Sequence, residues 1–572
     1  MTSTKYINNS ISLSVAVGLL ALGTQKEVSA LLVTPTLHSQ QARRHRGESN
    51  SYQRAQTQLM VSQTTDEVTG SRLFEEQEQA LTSSEIGTIA GEEETRGMPD
   101  LLADLQETIG KVDDDRIIYP ELQTGEVPRL YSSLSYERTE EGKVVKAVHA
   151  EGSVMGAAAL VAGTTIGAGV LALPTATAAA GFVPSTFALG IAWLYMTISG
   201  LLIAELTLNR IGSSGRPGLG LLELYENSLG KNVGRIGSAA YFFLHYAIMV
   251  AYVAQGGSNI AGYMESLGLG DLASSVPGFG QLAFAGTCGA ILYAVNSATV
   301  EKINNTLVFG VVASFLAIVG IGSSTADFGA LIDPAFQHPE EVVNCFPILF
   351  LSLVYQNVVP TVVSQLEGDR NKITTSVIAG TTVPFIMFLM FNGVVLGNAL
   401  STGVDLTSGV NPVSLLQSNG DGSVVGDLVS GFSMLAVITS MIGFTYGLLD
   451  AWTDVFNIPT EGKEFERWKA PLFGLVFVPP VALSVANPDI FYDALDYAGA
   501  FGVSTLFLLL PPFMVWQERY GKEKAPLATK PMVPFGKIPL ASMYKAAGTL
   551  ILEQGAEKLG VFEYLSQHLP SF

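Results

Sequence analysis

Basic residues are scarce in this chain, and the scarcity is concentrated. Between Ile236 and Glu518 only Lys302, Arg370, Lys372, Lys463, Arg467 and Lys469 occur. Charged residues make up 14% of the 572 positions, hydrophobic ones 48%, and the mean hydropathy is +0.35. A soluble fold of this size needs amphipathic elements with a charged outer face, whereas most apolar runs here are apolar all round. That excludes an ordinary soluble protein and leaves an all-α polytopic membrane protein with the lipid bilayer as its surroundings. The lack of a basic stripe argues against nucleic acid as a partner. Cysteine is nearly absent as well: Cys288 and Cys345 lie in or beside apolar runs, with no CxxC and no His/Cys cluster. No metal and no cofactor is expected on that pattern. No nucleophile–base constellation is present, and apart from Glu205 the acids lie outside the apolar runs or at their ends, so the chain does not read as an enzyme.

The net charge of −20 is a property of a tail. Residues 62–151 hold 21 acidic and 8 basic residues, and this stretch, with "GEEETRG" and "KVDDDR", is expected to stay disordered. Before it, Lys5 precedes the apolar "ISLSVAVGLLALG", and "EVSA" ends at Ala30, a signal-peptide pattern over residues 1–30. Residues 31–60 are rich in Arg, Ser and Gln with Glu48 as the sole acid, which is transit-peptide composition. The tandem is similar to the bipartite plastid presequence of algae with secondary plastids, with Leu31 as the bulky residue after cleavage. A plain secretory signal is the alternative.

Ten apolar spans follow, at roughly 153–180, 184–208, 236–261, 281–297, 304–323, 345–366, 374–398, 425–450, 471–486 and 490–516. A weaker eleventh at 538–556 is interrupted by Lys545 and Glu553, and either spans or lies on the membrane surface. The connections after spans 2, 4, 6, 8 and 10 carry the basic residues, while those after the odd-numbered spans carry none. By the positive-inside rule the even-numbered ends face the cytoplasm, or the stroma in a plastid.

Span 1 contains "GTTIGAGVLALP", with Gly163, Gly167 and Gly169 loosening the helix and Pro174 beyond them. No strand precedes this run and no Lys follows it, so it is not a phosphate loop. Span 6 contains "YQNVVP", with polar Gln356 and Asn357 in mid-span and Pro360 after them. The expected interruptions are Gly163–Gly169 and Tyr355–Pro360. Residues 153–323 and 345–516 hold five spans each, with the defect in the first of each set, and the odd number inverts one half relative to the other. Broken helices at matching places of inverted repeats point to a transporter's binding site. Freed N–H groups bind a carboxylate and freed carbonyls bind an ammonium, and an α-amino acid carries both on one carbon. A small-xxx-small packing pair at Gly163 and Gly167 is the rival reading of the first break.

"GSVMGAAALVAGTTIGAGVLALP" resembles the first helix of the tryptophan/tyrosine permease family. "VYQNVVPTVVSQLEGDRNKITTSVIAGTTVPFIMFLMFNGVVLG" resembles its sixth and seventh helices. "MLAVITSMIGFTYGLLDAWTD" and "DALDYAGAFGVSTLFLLLPPFMVW" are similar to its eighth and tenth. The resemblance runs from about 151 to 520. It departs from bacterial members, which carry a His where this chain has Gln356 or Asn357, and "YQNVVP" is similar to the plant and algal branch of tyrosine-specific transport proteins. The resemblance implies the five-plus-five inverted-repeat fold of the amino acid–polyamine–organocation superfamily, with helices 1 and 6 discontinuous and usually eleven helices. It also implies proton-coupled import of an aromatic amino acid, tyrosine or tryptophan.

The candidate substrate contacts are Gly163, Thr164, Thr165, Gly167, Ala168 and Gly169 from span 1 and Tyr355, Gln356 and Asn357 from span 6. The candidates for the coupling ion, a proton or sodium, are Glu205, His245, Thr439 and Ser440. Glu205 is costly at its depth, with pairing to Arg210 as the structural alternative. His245 titrates in the right range, with packing between aromatics as its alternative. Thr439 and Ser440 would face the span 1 break in the implied fold, where sodium-coupled relatives bind a cation. Another amino acid as substrate, a channel and a non-transporting sensor are the other readings. A fluorescent protein fused behind residues 1–60 is expected to reach the plastid; secretion of the fusion contradicts the address.

Overall fold

The computed structural model describes residues 152–564 apart from 168, 215–219, 409–410, 419–423, 460–461, 522–526, 528 and 562–563, together with two short strands. The presequence segments 1–30 and 31–60, most of the acidic tail 61–150 and the candidate Ala168 lie outside the described residues. The strands, β1 (Leu134–Arg138) and β2 (Val144–His149), pair with each other. Among the described residues after them every regular element is a helix, as lipid requires of a backbone with no water to satisfy it.

Span 1 is two helices, α1 (Val154–Thr165) and α2 (Gly169–Ala178), whose axes differ by 56°. The Ser153 hydroxyl starts α1 by accepting the Gly156 N–H at 2.8 Å. Then come α3 (Phe182–Ser214), α4 (Leu221–Ser266, bent at Gly230, φ 75°), α5 (Phe279–Ala294) and α6 (Ser297–Gly322). Span 6 is again two helices, α7 (Val342–Ser352) and α8 (Val359–Gln365), with a single 3-10 turn at Gln356–Val358 between them. The second half continues with α9 (Arg370–Ser401), α10 (Val424–Phe456), α11 (Lys463–Ala486) and α12 (Phe491–Tyr520). A final helix, α13, covers Lys537–Lys558. Among the described residues eight helices are long and apolar enough to cross a membrane, nine with α1 and α2 counted as one bent span. The fourth expected span is the shorter apolar α5, of 16 residues. All ten expected spans therefore have their helices.

The packing partners repeat when the two halves are exchanged. α1 packs on α9 as α7 packs on α3; α6 packs on α10 as α12 packs on α4; α5 packs on α4 as α11 packs on α10. The broken helices obey the same rule, α2 against α7 and α8 against α1. They run antiparallel. Gly152, just before α1, lies against the carbonyl of Gln365 at the end of α8, where an added Cβ would stand 1.9 Å from that oxygen. At the other end Cys345 in α7 donates its thiol to the Ala176 carbonyl at 3.2 Å. This is the inverted repeat expected from the span count.

Two features carry unusual backbone or charge inside the bundle. Ala498–Leu509 of α12 is a π-helix, whose carbonyls accept within a wider i→i+5 turn. Hydroxyls from neighbours reach them: Tyr225 donates to the Leu506 carbonyl at 2.8 Å, Tyr195 to Leu508 at 3.0 Å, and Ser199 to Phe507. Glu205 is 1% exposed and forms a bidentate pair with Arg519 of α12, Nε to Oε1 at 2.7 Å and Nη2 to Oε2 at 2.6 Å. The expected local pairing of Glu205 with Arg210 is thus corrected. A residue one turn along a helix lost to one 314 positions away that offers two parallel bonds.

α13 runs beside α12 in the opposite direction. Lys537 at its start stands over the rings of Trp516 and Tyr520, at 5.7 and 4.9 Å from their centroids. Lys558 at its end pairs with Asp496 near the start of α12. Removing one partner of the buried pair leaves the other charged in an apolar place. Arg519→Ala is therefore expected to destabilise the protein by about 3–5 kcal/mol, read as a lower unfolding temperature in detergent.

Candidate functional site

The first break comes later in the chain than the glycine pattern places it. α1 stays helical through Gly163, Thr164 and Thr165, and both threonine hydroxyls donate to carbonyls of their own helix, Leu160 and Val161, at 2.8 Å. An added Cβ on Gly163 would meet nothing, so this glycine marks neither the break nor a close packing contact. The chain leaves the helix at Ile166 (φ −76°, ψ 94°), and the Gly167 N–H has no acceptor among the described residues. Gly167 faces α10: an added Cβ would stand 2.9 Å from the Ser440 hydroxyl. Gly169 opens α2 against α7, where a Cβ would lie 3.1 Å from Ser352 Cα.

The second break lies at Leu353–Val358 rather than Tyr355–Pro360. Pro360 sits in the first turn of α8, where a missing N–H costs nothing, and so starts the half-helix instead of breaking one. Tyr355 and Gln356, expected at the substrate, are turned away from the break into α3. The Tyr355 hydroxyl donates to the Met196 carbonyl at 3.0 Å, over Gly200, whose added Cβ would overlap it at 2.0 Å. Gln356 accepts the Tyr355 N–H at 3.0 Å and donates to the Met196 carbonyl at 3.3 Å. Both side chains are fully buried, whereas Asn357 is exposed.

Two residues outside the candidate set complete the arrangement. Ser352 ends α7 and donates to the Gly169 carbonyl at 3.0 Å as well as to Ile348 at 2.8 Å, so one hydroxyl joins the two breaks. Tyr252 on α4, 4% exposed, hydrogen-bonds Ser440. From Tyr252 a row of rings follows α4 and α10: Phe444 edge-on at 5.7 Å, then His245 at 5.0 Å from Phe444, then Tyr241 stacked on His245 at 3.8 Å. His245 Nδ1 lies 2.9 Å from the Tyr241 carbonyl, and Gly447 lets α10 approach the ring. Of the coupling candidates only Ser440 meets the break directly. The Thr439 hydroxyl is turned to the carbonyls of Leu435 and Ala436, and Glu205 is at the far end of α3 with Arg519.

Taken together, the N-terminal ends of α2 and α8 and the C-terminal ends of α1 and α7 converge on one place in mid-bundle. Helix N-termini favour a negative group and C-termini a positive one. Tyr252, through its bond to Ser440, and Phe444 beside it are the nearest rings on α4 and α10 that these contacts tie to Gly167. Ser352 carried no signal in the sequence beyond being a hydroxyl before "LVYQ", and Tyr252 is one aromatic among many. Only the fold shows either to be close to the break.

The model of the tryptophan/tyrosine permease family matches residues 150–541. A tryptophan-specific transport protein of Haemophilus influenzae is 28% identical over 390 residues, which covers 66% of this chain and 90% of that relative. Tyrosine-specific transport system 1 of the same organism is 27% identical over 385 residues, covering 65% and 90%. The low affinity tryptophan permease of Escherichia coli (strain K12) is 28% identical over 59% of this chain and 81% of its own. The crystal structure of MhsT in complex with L-phenylalanine aligns with a TM-score of 0.45 at 14% identity, covering 72% of this chain and 99% of that one. Gly167→Leu is expected to abolish substrate binding in purified protein while leaving insertion and helix content intact, since the side chain would occupy the space before Ser440.

Proposed function

The chain belongs to the tryptophan/tyrosine permease family, and from that premise we propose that it carries an aromatic amino acid across its membrane by alternating access. The observation that supports this most is the Ser352 bond to Gly169, which brings the two broken helices together and sets their four half-helix ends around one volume. In this reading the Gly167 N–H and the start of α2 take the substrate carboxylate. The C-terminal carbonyls of α7 and the exposed Asn357 take the ammonium, and the ring lies against Tyr252 and Phe444. Tyr355 and Gln356 act one step back, by fixing the second break on α3.

The proposed coupling ion is a proton. The resemblance to a proton-coupled family supports this, and Thr439 is engaged with the carbonyls of its own helix. His245 is the proposed proton carrier because it is a buried imidazole in the helix that bears Tyr252; its contacts toward Ser440, through Phe444, are packing contacts, and Glu205 is held by Arg519. α13 is about 33 Å long at 1.5 Å per residue and runs antiparallel along α12, but it is not among the helices apolar enough to cross a membrane, and this supports a helix at the membrane surface packed against α12. The "YQNVVP" form and the presequence-like first sixty residues support a plastid envelope protein of the plant and algal branch.

Proteoliposomes holding the purified protein test the reading. Labelled tyrosine should accumulate faster under an inward-directed proton gradient. Tryptophan and phenylalanine should compete where leucine does not, and His245→Gln should remove the gradient dependence. Uptake indifferent to the gradient contradicts the coupling, and equal competition by aliphatic amino acids contradicts the ring pocket.

A further inference from the structure

The segment Thr529–Val533, between α12 and α13, is bonded to three helices at the basic face of the bundle. Glu205 of α3 accepts the Met532 N–H at 2.7 Å, and Asn209, one turn on, accepts the Thr529 N–H at 3.1 Å. Arg519 of α12 donates to the Val533 carbonyl at 3.4 Å, and Arg370, the first residue of α9, donates to the Pro531 carbonyl at 2.6 Å. Thr529, Met532 and Val533 are each less than a tenth exposed. A connection that only joined two neighbouring helices could run hydrated over the surface. This one instead exchanges its backbone groups with the buried side chains of Glu205, Asn209 and Arg519, and with the exposed Arg370.

Its anchor on α9 is next to the moving parts of the site. Arg370 follows α8 after one turn, and the start of α1 packs at the same end, with Gly152 against the Gln365 carbonyl and the Val154 carbonyl accepting from Ser376 at 3.1 Å. In the transporter reading, the site opens toward the basic face when these ends of α1, α8 and α9 part from α12. The strap lies across that line. The opposite face is closed by different means, an uncharged triad in which Thr175 of α2 donates to Asn411 at 2.8 Å and Asn411 donates to the Tyr492 hydroxyl of α12 at 2.8 Å.

We propose that Thr529–Val533 is a latch that holds the basic face closed and is released once in each transport cycle. The proposal rests on the transporter reading above. Its test uses the full chain in proteoliposomes, with Cys288→Ser and Cys345→Ser to remove native thiols. In the double variant Arg370→Cys, Pro531→Cys, a short reducible bis-methanethiosulfonate should cut uptake at least ten-fold, and reductant should restore it. Uptake that survives complete crosslinking overturns the latch. A second measurement needs no transport. With Ser440→Cys as a reporter at the break, an impermeant thiol reagent added on the basic side should react at least ten-fold faster once Asn209→Ala removes both the acceptor of the Thr529 N–H and the bond from Asn209 to Glu518 of α12. An unchanged rate, with the strap's amides exchanging faster, shows a purely structural strap and overturns the proposal. If the parent protein shows no uptake at all, the transporter reading fails, and the reporter rate still decides the latch.

Discussion

A backbone N–H or carbonyl cannot be left unpaired in hydrocarbon, and each special feature of this bundle answers to that constraint. It forces helices on the whole body. It makes an interrupted helix tolerable only where side chains, other backbone or water take over the freed groups. Hydroxyls add bonds to backbone carbonyls at both unusual places, Ser352 to Gly169 at the start of α2 and Ser199, Tyr225 and Tyr195 to the π-helix of α12. The Gly167 N–H has no acceptor among the described residues, and this glycine lies against Ser440 of α10. An unsatisfied donor there has a use only if something enters to accept from it.

The same constraint separates the polar residues of the second break into two kinds. Tyr355 and Gln356 are polar because the backbone of α3 and the start of the 3-10 turn need partners, and both are spent on Met196 and on each other. Asn357 is next in sequence and is exposed. From the sequence the three residues look equivalent, since each is a polar group in mid-span. The direction of each side chain depends on a turn that begins at Leu353, two residues earlier than Pro360 suggests. The proline misled because in a helix's first turn it is a starter and not a breaker.

The fold itself was largely legible. Hydropathy and the alternation of loop charges placed all ten spans, and equal spacing of two defects gave the inverted halves that the exchange of packing partners shows. What pattern could not supply was long-range pairing. Glu205 looked to Arg210 because sequence shows only neighbours along a helix, and its partner Arg519 stands on the last helix of the second half. Ser352 and Tyr252 were invisible for the same reason, since their roles depend on helices that meet only after folding. The buried ion pair also gives the strap its anchor, so this bidentate interaction serves the basic face, and the described residues of the break itself are neutral.

The direct measurement is a structure of the purified protein with L-tyrosine bound, by electron cryo-microscopy in a lipid nanodisc. The ligand's carboxylate should lie within hydrogen-bond distance of the Gly167 N–H and the start of α2, with its ring beside Tyr252 and Phe444. Density for tyrosine elsewhere in the bundle, with the gap between Gly167 and Ser352 filled by side chains, would contradict the assignment of the two breaks as one site.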